Sequence, residues 1–130
     1  MSQAHDKLIG TVPSRVLDTA RFSTTTYEGR VTELNIAAWL QVPGLANLPV
    51  SLLVNYRDGD RRREVTVDHG KVGGSDRILL SGVARLPVKF KIEEVQLRLR
   101  SAVPATSVVV EELFVQPVEL IEDASQQVRA

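Results

Sequence analysis

Cysteine is missing from this chain altogether. No disulfide framework, zinc–thiolate site or thiol nucleophile can therefore be built from it. Neither sign of charge is in excess: 16 Lys plus Arg stand against 16 Asp plus Glu. General nucleic-acid binders usually carry a basic surplus, so the balance argues against a nucleic-acid partner. Long apolar runs are lacking too, and none approaches the ~20 residues that a membrane span needs. The first ten residues are mostly polar, with His5, Asp6 and Lys7 among them. They lack the apolar stretch of a signal peptide, so the sequence as it stands predicts a cytoplasmic protein with no membrane partner. There is no glycine-rich phosphate loop and no nucleophile elbow. His5 and His69 lie far apart, without partners at metal-ligand spacing. The expectation is a protein that is not an enzyme, with no cofactor and no metal.

What is present is a strong alternation of apolar and polar residues. Hydrophobic residues make up 43% of the 130, enough to build one core. The chain reads as a single domain spanning 1–130, with 1–7 and 119–130 as flexible tails. In Val31–Val42 the even positions Leu34, Ile36, Ala38 and Leu40 are apolar, while Glu33, Asn35 and Gln41 lie opposite. That is the period of a half-buried strand. Val50, Leu52, Val54 and Tyr56 repeat it up to Asp58-Gly59, a hairpin signal. Arg61–Asp68 returns with Val65 and Val67 facing in, and Gly70–Asp76 reads as a loop. Ile78–Arg85 follows, with Gly82 marking a bulge or a close contact, and Pro87 a boundary. Ser107–Gln116 is the last clear strand. Leu8–Val12, Arg15–Leu17 and Phe22–Thr26 are candidates for short strands, and 119–130 for a helical turn. These segments predict an all-β antiparallel sandwich of two sheets with about eight strands.

One segment breaks parity. Val88, Phe90 and Ile92 face in at even positions, but Val95, Leu97 and Leu99 at odd ones. A one-residue slip turns a core face outward, so a β-bulge at Glu93-Glu94 or a crossing between sheets is expected. Leu34, Ile36, Leu40, Leu52, Val54, Val65, Val67, Leu80, Phe90, Ile92, Leu97 and Leu99 form the expected core.

The segment Leu34-Asn35-Ile36-Ala37-Ala38-Trp39-Leu40 is similar to a strand of the galactose-binding-like jelly roll, found in carbohydrate-binding modules of families four, nine and twenty-two. Val50–Tyr56 with Asp58-Gly59, Leu80-Ser81-Gly82 through Pro87, and Glu111-Glu112-Leu113 resemble three further segments of those modules. The resemblance covers about three quarters of the chain and implies a jelly-roll fold that binds carbohydrate. It also implies a calcium site near Glu111 or Glu112. Glutamates replace the usual aspartates, Ala37 replaces the strand serine, and the N-terminal Gly-Trp element is missing.

Trp39 is the only tryptophan, and alternation puts it on the face opposite Leu34, Ile36 and Leu40. It is the candidate stacking platform for a sugar ring, with Asn35, Gln41, Asn55 and Arg57 as candidate hydrogen-bonding ligand residues. Alternatively Phe22 or Tyr27 covers the indole and makes a second small core. Arg61-Arg62-Arg63 reads as edge-strand charge more readily than as an anion clamp, because Arg62 should point away from the other two. Lys89, Lys91, Arg98 and Arg100 accompany Glu93 and Glu94, which predicts cross-strand ion pairs. Strict alternation sends Glu111 and Glu112 to opposite faces. Leu53, Leu79 and Val83 sit on otherwise wet faces and form a candidate patch for a protein partner or a homo-oligomer.

Overall fold

The structure, a computed structural model, describes residues 5–19, 22–26, 29–105 and 107–118. Eight strands and one short helix follow in order: β1 (His5–Thr11), α1 (Ser14–Thr19), β2 (Phe22–Thr26), β3 (Gly29–Gln41), β4 (Pro49–Asp58), β5 (Arg61–Lys71), β6 (Arg77–Val88), β7 (Ile92–Ser101) and β8 (Val109–Pro117). One sheet has the order β1-β7-β4-β5; the other has β2-β3-β6, with β8 pairing β3 beyond β2. All the pairings are antiparallel. The β4–β5 and β2–β3 connections are local hairpins, whereas β3→β4, β5→β6, β6→β7 and β7→β8 each cross from one sheet to the other. The all-β sandwich read from the alternation is the fold observed. Among the described residues no helix is long and apolar enough to cross a membrane.

The inner faces follow the period-two pattern. Leu34, Ile36, Ala38 and Leu40 of β3 pack with Leu52, Val54 and Tyr56 of β4, Leu80, Ala84 and Leu86 of β6, and Val95, Leu97 and Leu99 of β7. Each large aliphatic buried here is worth roughly 1.5–3 kcal/mol over leaving it wet. Val65, Val67 and Ile92 are half-buried against this core. Both valines reach it although the β4–β5 register shifts between Leu52 and Leu53, leaving Val67 as the extra residue.

Several expectations are corrected. Arg15–Leu17 belongs to α1 and not to a strand. β1 begins at His5, so residues 5–7 are strand and not tail, and Asp6 pairs with Arg100. Strand β5 runs on to Lys71 and β6 through Pro87 to Val88. Phe90 is 58% exposed, not core. It sits in the crossing turn between β6 and β7 and lies over Gly59, where an added Cβ would come within 3.0 Å of its ring. Leu53 is buried although it is on the outer face. Its cross-strand neighbours are Thr66 and Arg98, with Leu8 beyond Arg98. In the middle of a four-stranded sheet, such neighbours cover a leucine with their own stems. Residues 119–130 and Tyr27 lie outside the described residues, as does the side chain of Phe22.

The parity break is resolved in both of the expected ways. Lys89–Lys91 carry the chain from one sheet to the other, since Val88 pairs with β3 and Ile92 with β4. The β4–β7 register then shifts between Asn55 and Arg57, and Glu94 takes a left-handed backbone with φ 51°. At Gly82 the answer is close contact: an added Cβ would lie 2.8 Å from the Val67 carbonyl oxygen, a backbone atom that cannot swing away. This is where edge strand β5 of one sheet crosses edge strand β6 of the other. The Ser81 amide, left free on the β6 edge, donates to the Asp68 carboxylate at 2.9 Å.

Two side chains of β4 hold the crossing turn. The Tyr56 hydroxyl donates to the Pro87 carbonyl at 2.7 Å, and its burial pushes its pKa up to about 12. The Asp58 carboxylate, fully buried, accepts from the amides of Lys89 at 2.8 Å and Phe90 at 2.7 Å. Arg63 Nε lies 3.1 Å from it as a charge contact. Burial would raise the Asp58 pKa, but the amides of Lys89, Phe90 and Lys91 together with Arg63 outweigh it and hold the carboxyl below its ordinary value. A carboxyl lowered by folding contributes stability that is fully present above its unfolded pKa of about 3.9 and is lost as pH falls through the lower folded value. Asp58→Asn should therefore cost about 2–4 kcal/mol at pH 7 by urea denaturation. The gap to the unaltered protein should narrow below about pH 4. A gap that is small, or the same at pH 7 and pH 3, would remove Asp58 from this role.

Candidate functional site

Strand β3 is central in its sheet, with β6 on one side and β8 on the other, so its outward side chains sit in the middle of a flat face. The register sets the rows. Trp39 lies between Leu79 of β6 and Glu112 of β8; Ala37 between Ser81 and Phe114; Asn35 between Val83 and Gln116. Trp39, Leu79, Val83 and Phe114 are 45%, 42%, 47% and 43% exposed. Leu79, Trp39 and Phe114 thus form one wet apolar group across the three strands, Phe114 on the diagonal past the small Ala37, and Val83 lies farther along the same face beyond Ser81, with Asn35, Ser81 and Gln116 as the polar members. Isolated exposed apolar residues are ordinary on protein surfaces, but a contiguous group is not.

At the Trp39 end of this face lies an open depression of about 410 Å³, lined by Trp39, Arg77, Glu111 and Glu112. The expectation that the two glutamates point to opposite faces fails here. The β3–β8 register shifts between Trp39, which faces Glu112, and Leu40, which faces Val110. Glu111 is the extra residue of this bulge, and a bulge can bring two consecutive side chains to one surface. Arg77 Nε is 3.3 Å from Glu111 Oε1. At the far end of the same face Arg85 Nε is 3.3 Å from Glu33 Oε2.

The five residues read from the sequence as one binding set do not come together. Trp39, Asn35 and Gln41 share the outer side of β3. Asn55 and Arg57 belong to β4, on the outer surface of the opposite sheet. The Pro43–Leu48 connection carries the chain across the sandwich between them. In their own surroundings both are held in a polar lattice. The Asn55 amide, turned with nitrogen toward Glu64 and oxygen toward Arg98, lies 3.2 and 3.3 Å from them. Arg57 hydrogen-bonds Glu93 and lies 3.4 Å from Glu94, which also takes Arg62 at 3.0 Å. Arg100 donates to both oxygens of Asp6 at 2.7 and 2.8 Å and to both oxygens of Glu64 at 2.9 and 2.7 Å. Its hydrogen bonds hold the Asp6 carboxyl below the ordinary carboxylate value. The expected cross-strand ion pairs therefore form on this sheet, and Arg62 does point away from Arg63, which turns to Asp58. The open depression of about 520 Å³ on this side is lined by groups that already have partners, such as Asp6 and Glu64 with Arg100 and Arg62 with Glu94.

Leu79 and Val83 are exposed as the alternation indicates, and the third member of that patch, Leu53, is not. Phe114 was legible but overlooked. Glu112, Leu113, Phe114, Val115 and Gln116 alternate cleanly, and Phe114 falls on the wet parity. Among the described residues no three His, Asp or Glu side chains cluster in a way that could hold a metal ion. No protein-family model, no curated protein and no solved structure matches the chain.

An indole nearly half exposed on a flat face is reachable by a small neutral quencher. Acrylamide should quench the fluorescence of the single tryptophan efficiently, with emission red-shifted toward that of a wet indole. A blue-shifted emission resistant to acrylamide would mean that Trp39 is covered.

Proposed function

We propose that the protein is a non-catalytic interaction module that docks a protein partner on the outer face of β8, β3 and β6. The observation that carries this reading is the exposure of Leu79, Trp39 and Phe114 as one apolar group, with Val83 farther along the same face. Aromatic and aliphatic side chains together suit the apolar centre of a protein interface, and the charged pairs Arg77–Glu111 and Arg85–Glu33 supply a polar rim at each end. The non-catalytic part is supported by the described carboxylates of the other sheet, which are engaged by arginines or backbone amides. A second reading is carbohydrate binding, as the resemblance implies. It is favoured by Trp39 standing on one strand with Asn35 and Gln41, where a pyranose can stack on the indole and hydrogen-bond to the amides. Asn55 and Arg57, across the sandwich, take no part in either reading.

Site-specific photocrosslinking in the native host tests the proposal. A benzoylphenylalanine at Val83 should give a discrete adduct, lost on adding Leu79→Ser and Phe114→Ser. The same group at Thr66, exposed on the other sheet, should give none. An adduct of twice the chain mass would identify the partner as a second copy. Saturable binding in a glycan screen, abolished by Trp39→Ala, would favour the carbohydrate reading. Equal adducts from both positions, or no adduct and no glycan bound, would contradict a binding role for this face.

A further inference from the structure

We propose that the partner on this face presents an arginine side chain, whose guanidinium stacks on Trp39 and pairs with Glu112. The inference rests on the docking role just proposed and names the chemistry of one contact within it. Three observations at the Trp39 end converge. First, the indole is 45% exposed and borders an open depression, so a partner side chain can reach it. Second, the bulge at Glu111 brings two carboxylates into that depression against one cation, Arg77, leaving a local excess of negative charge. Third, Arg77 engages Glu111, whereas Glu112 has no ion-pair partner among the described residues. Glu112 also sits directly beside Trp39 in the register, with Leu79 on the other side of the indole.

An exposed indole next to an unpaired carboxylate is complementary to a cation that can use both. Cation–π attraction is strongest over tryptophan, and it grows when apolar neighbours exclude water, as Leu79 would once a partner covers it. Guanidinium fits better than ammonium because it is planar. It can lie parallel to the ring while its edge donates two parallel N–H bonds to the Glu112 carboxylate. A neutral apolar partner would instead bury Glu112 unpaired and pay its desolvation. The polar depression of the opposite sheet offers no comparable opening, because Asp6 and Glu64 are already held by Arg100.

The test is a fluorescence titration of the full chain with acetyl-Leu-Arg-Val-amide, read on the single tryptophan. The matched peptides carry citrulline, a neutral isostere of arginine, or lysine. The arginine peptide should give a saturable change, weakened by added salt. The citrulline peptide should bind about tenfold more weakly, the loss of one modest charge-assisted contact. Glu112→Gln, an exposed and shape-conserving change, should produce the same tenfold loss. Arg77→Gln, which frees Glu111, should tighten binding. Lysine should fall between arginine and citrulline. No saturable response, equal binding of arginine and citrulline peptides, lysine binding better than arginine, or an unaffected Glu112→Gln variant would each overturn the inference. If Val83 still crosslinks its partner in that case, the docking face stands and only the arginine contact falls. If crosslinking fails as well, both fall.

Discussion

The carboxylate of Asp58 holds the sandwich together at its most demanding point. Between β6 and β7 the chain must leave one sheet and enter the other within three residues, and the amides of that turn have no ladder partner. Amides without a ladder partner need another acceptor, and a buried carboxylate needs donors. Asp58 supplies the acceptor from the end of β4, Arg63 balances its charge, and Gly59 closes the arrangement with a bond to the Lys91 carbonyl at 3.1 Å. Tyr56, two residues earlier on the same buried side, ties β4 to Pro87. A single strand of one sheet thus fixes the end of a strand in the other. The far end is closed by backbone bonds between two loops: the Asn47 amide donates to the Val72 carbonyl, the Val72 amide to the Leu48 carbonyl, and the Val42 amide to the Asp76 carbonyl.

That arrangement explains what was readable in the sequence and what was not. Alternation exposed the long strands and nearly all of the core, because a period of two is a local property of each segment. Asp58 looked like half of a hairpin signal, and it is one. Its second task, capping a turn some 31 residues later, leaves no local trace. Phe90 failed for the same reason: its even parity with Val88 and Ile92 held only if the three lay on one strand, and the turn intervenes. The set of Trp39, Asn35, Gln41, Asn55 and Arg57 failed because parity tells which residues share a face of one strand, not which strands share a sheet. Bulges are equally silent. The one at Glu94 was legible only because it flips a strongly apolar pattern. The one at Glu111 moves the core face from Val108 and Val110 to Leu113 and Val115, but Val109 and Phe114 on the other parity are apolar as well, so alternation does not reveal it and sends Glu111 and Glu112 to opposite sides.

The two outer surfaces solve the same problem in different ways. On the sheet of β1, β7, β4 and β5, charges of both signs are interleaved across strands and largely satisfy one another, which also protects the β5 edge from pairing with another chain. On the sheet of β3, β6 and β8, the pairs Arg77–Glu111 and Arg85–Glu33 lie toward the ends, and the middle is uncharged, with apolar side chains beside Asn35, Ser81 and Gln116. A zero net charge over the whole chain hides this contrast. The surface left chemically unfinished is the one proposed to bind, and Glu112 beside Trp39 is its most polar loose end.

The crossing between the sheets depends first on Asp58 being ionised, buried and held by amides. An NMR titration of its side-chain carboxyl carbon in the folded protein reads this directly. The midpoint should lie below the ordinary aspartate value of 3.8, with the amide resonances of Lys89, Phe90 and Lys91 moving at the same midpoint. A midpoint at or above 3.8, with those amides unmoved, would contradict it: burial would then outweigh the hydrogen bonds, and the crossing turn would have to be held by something else.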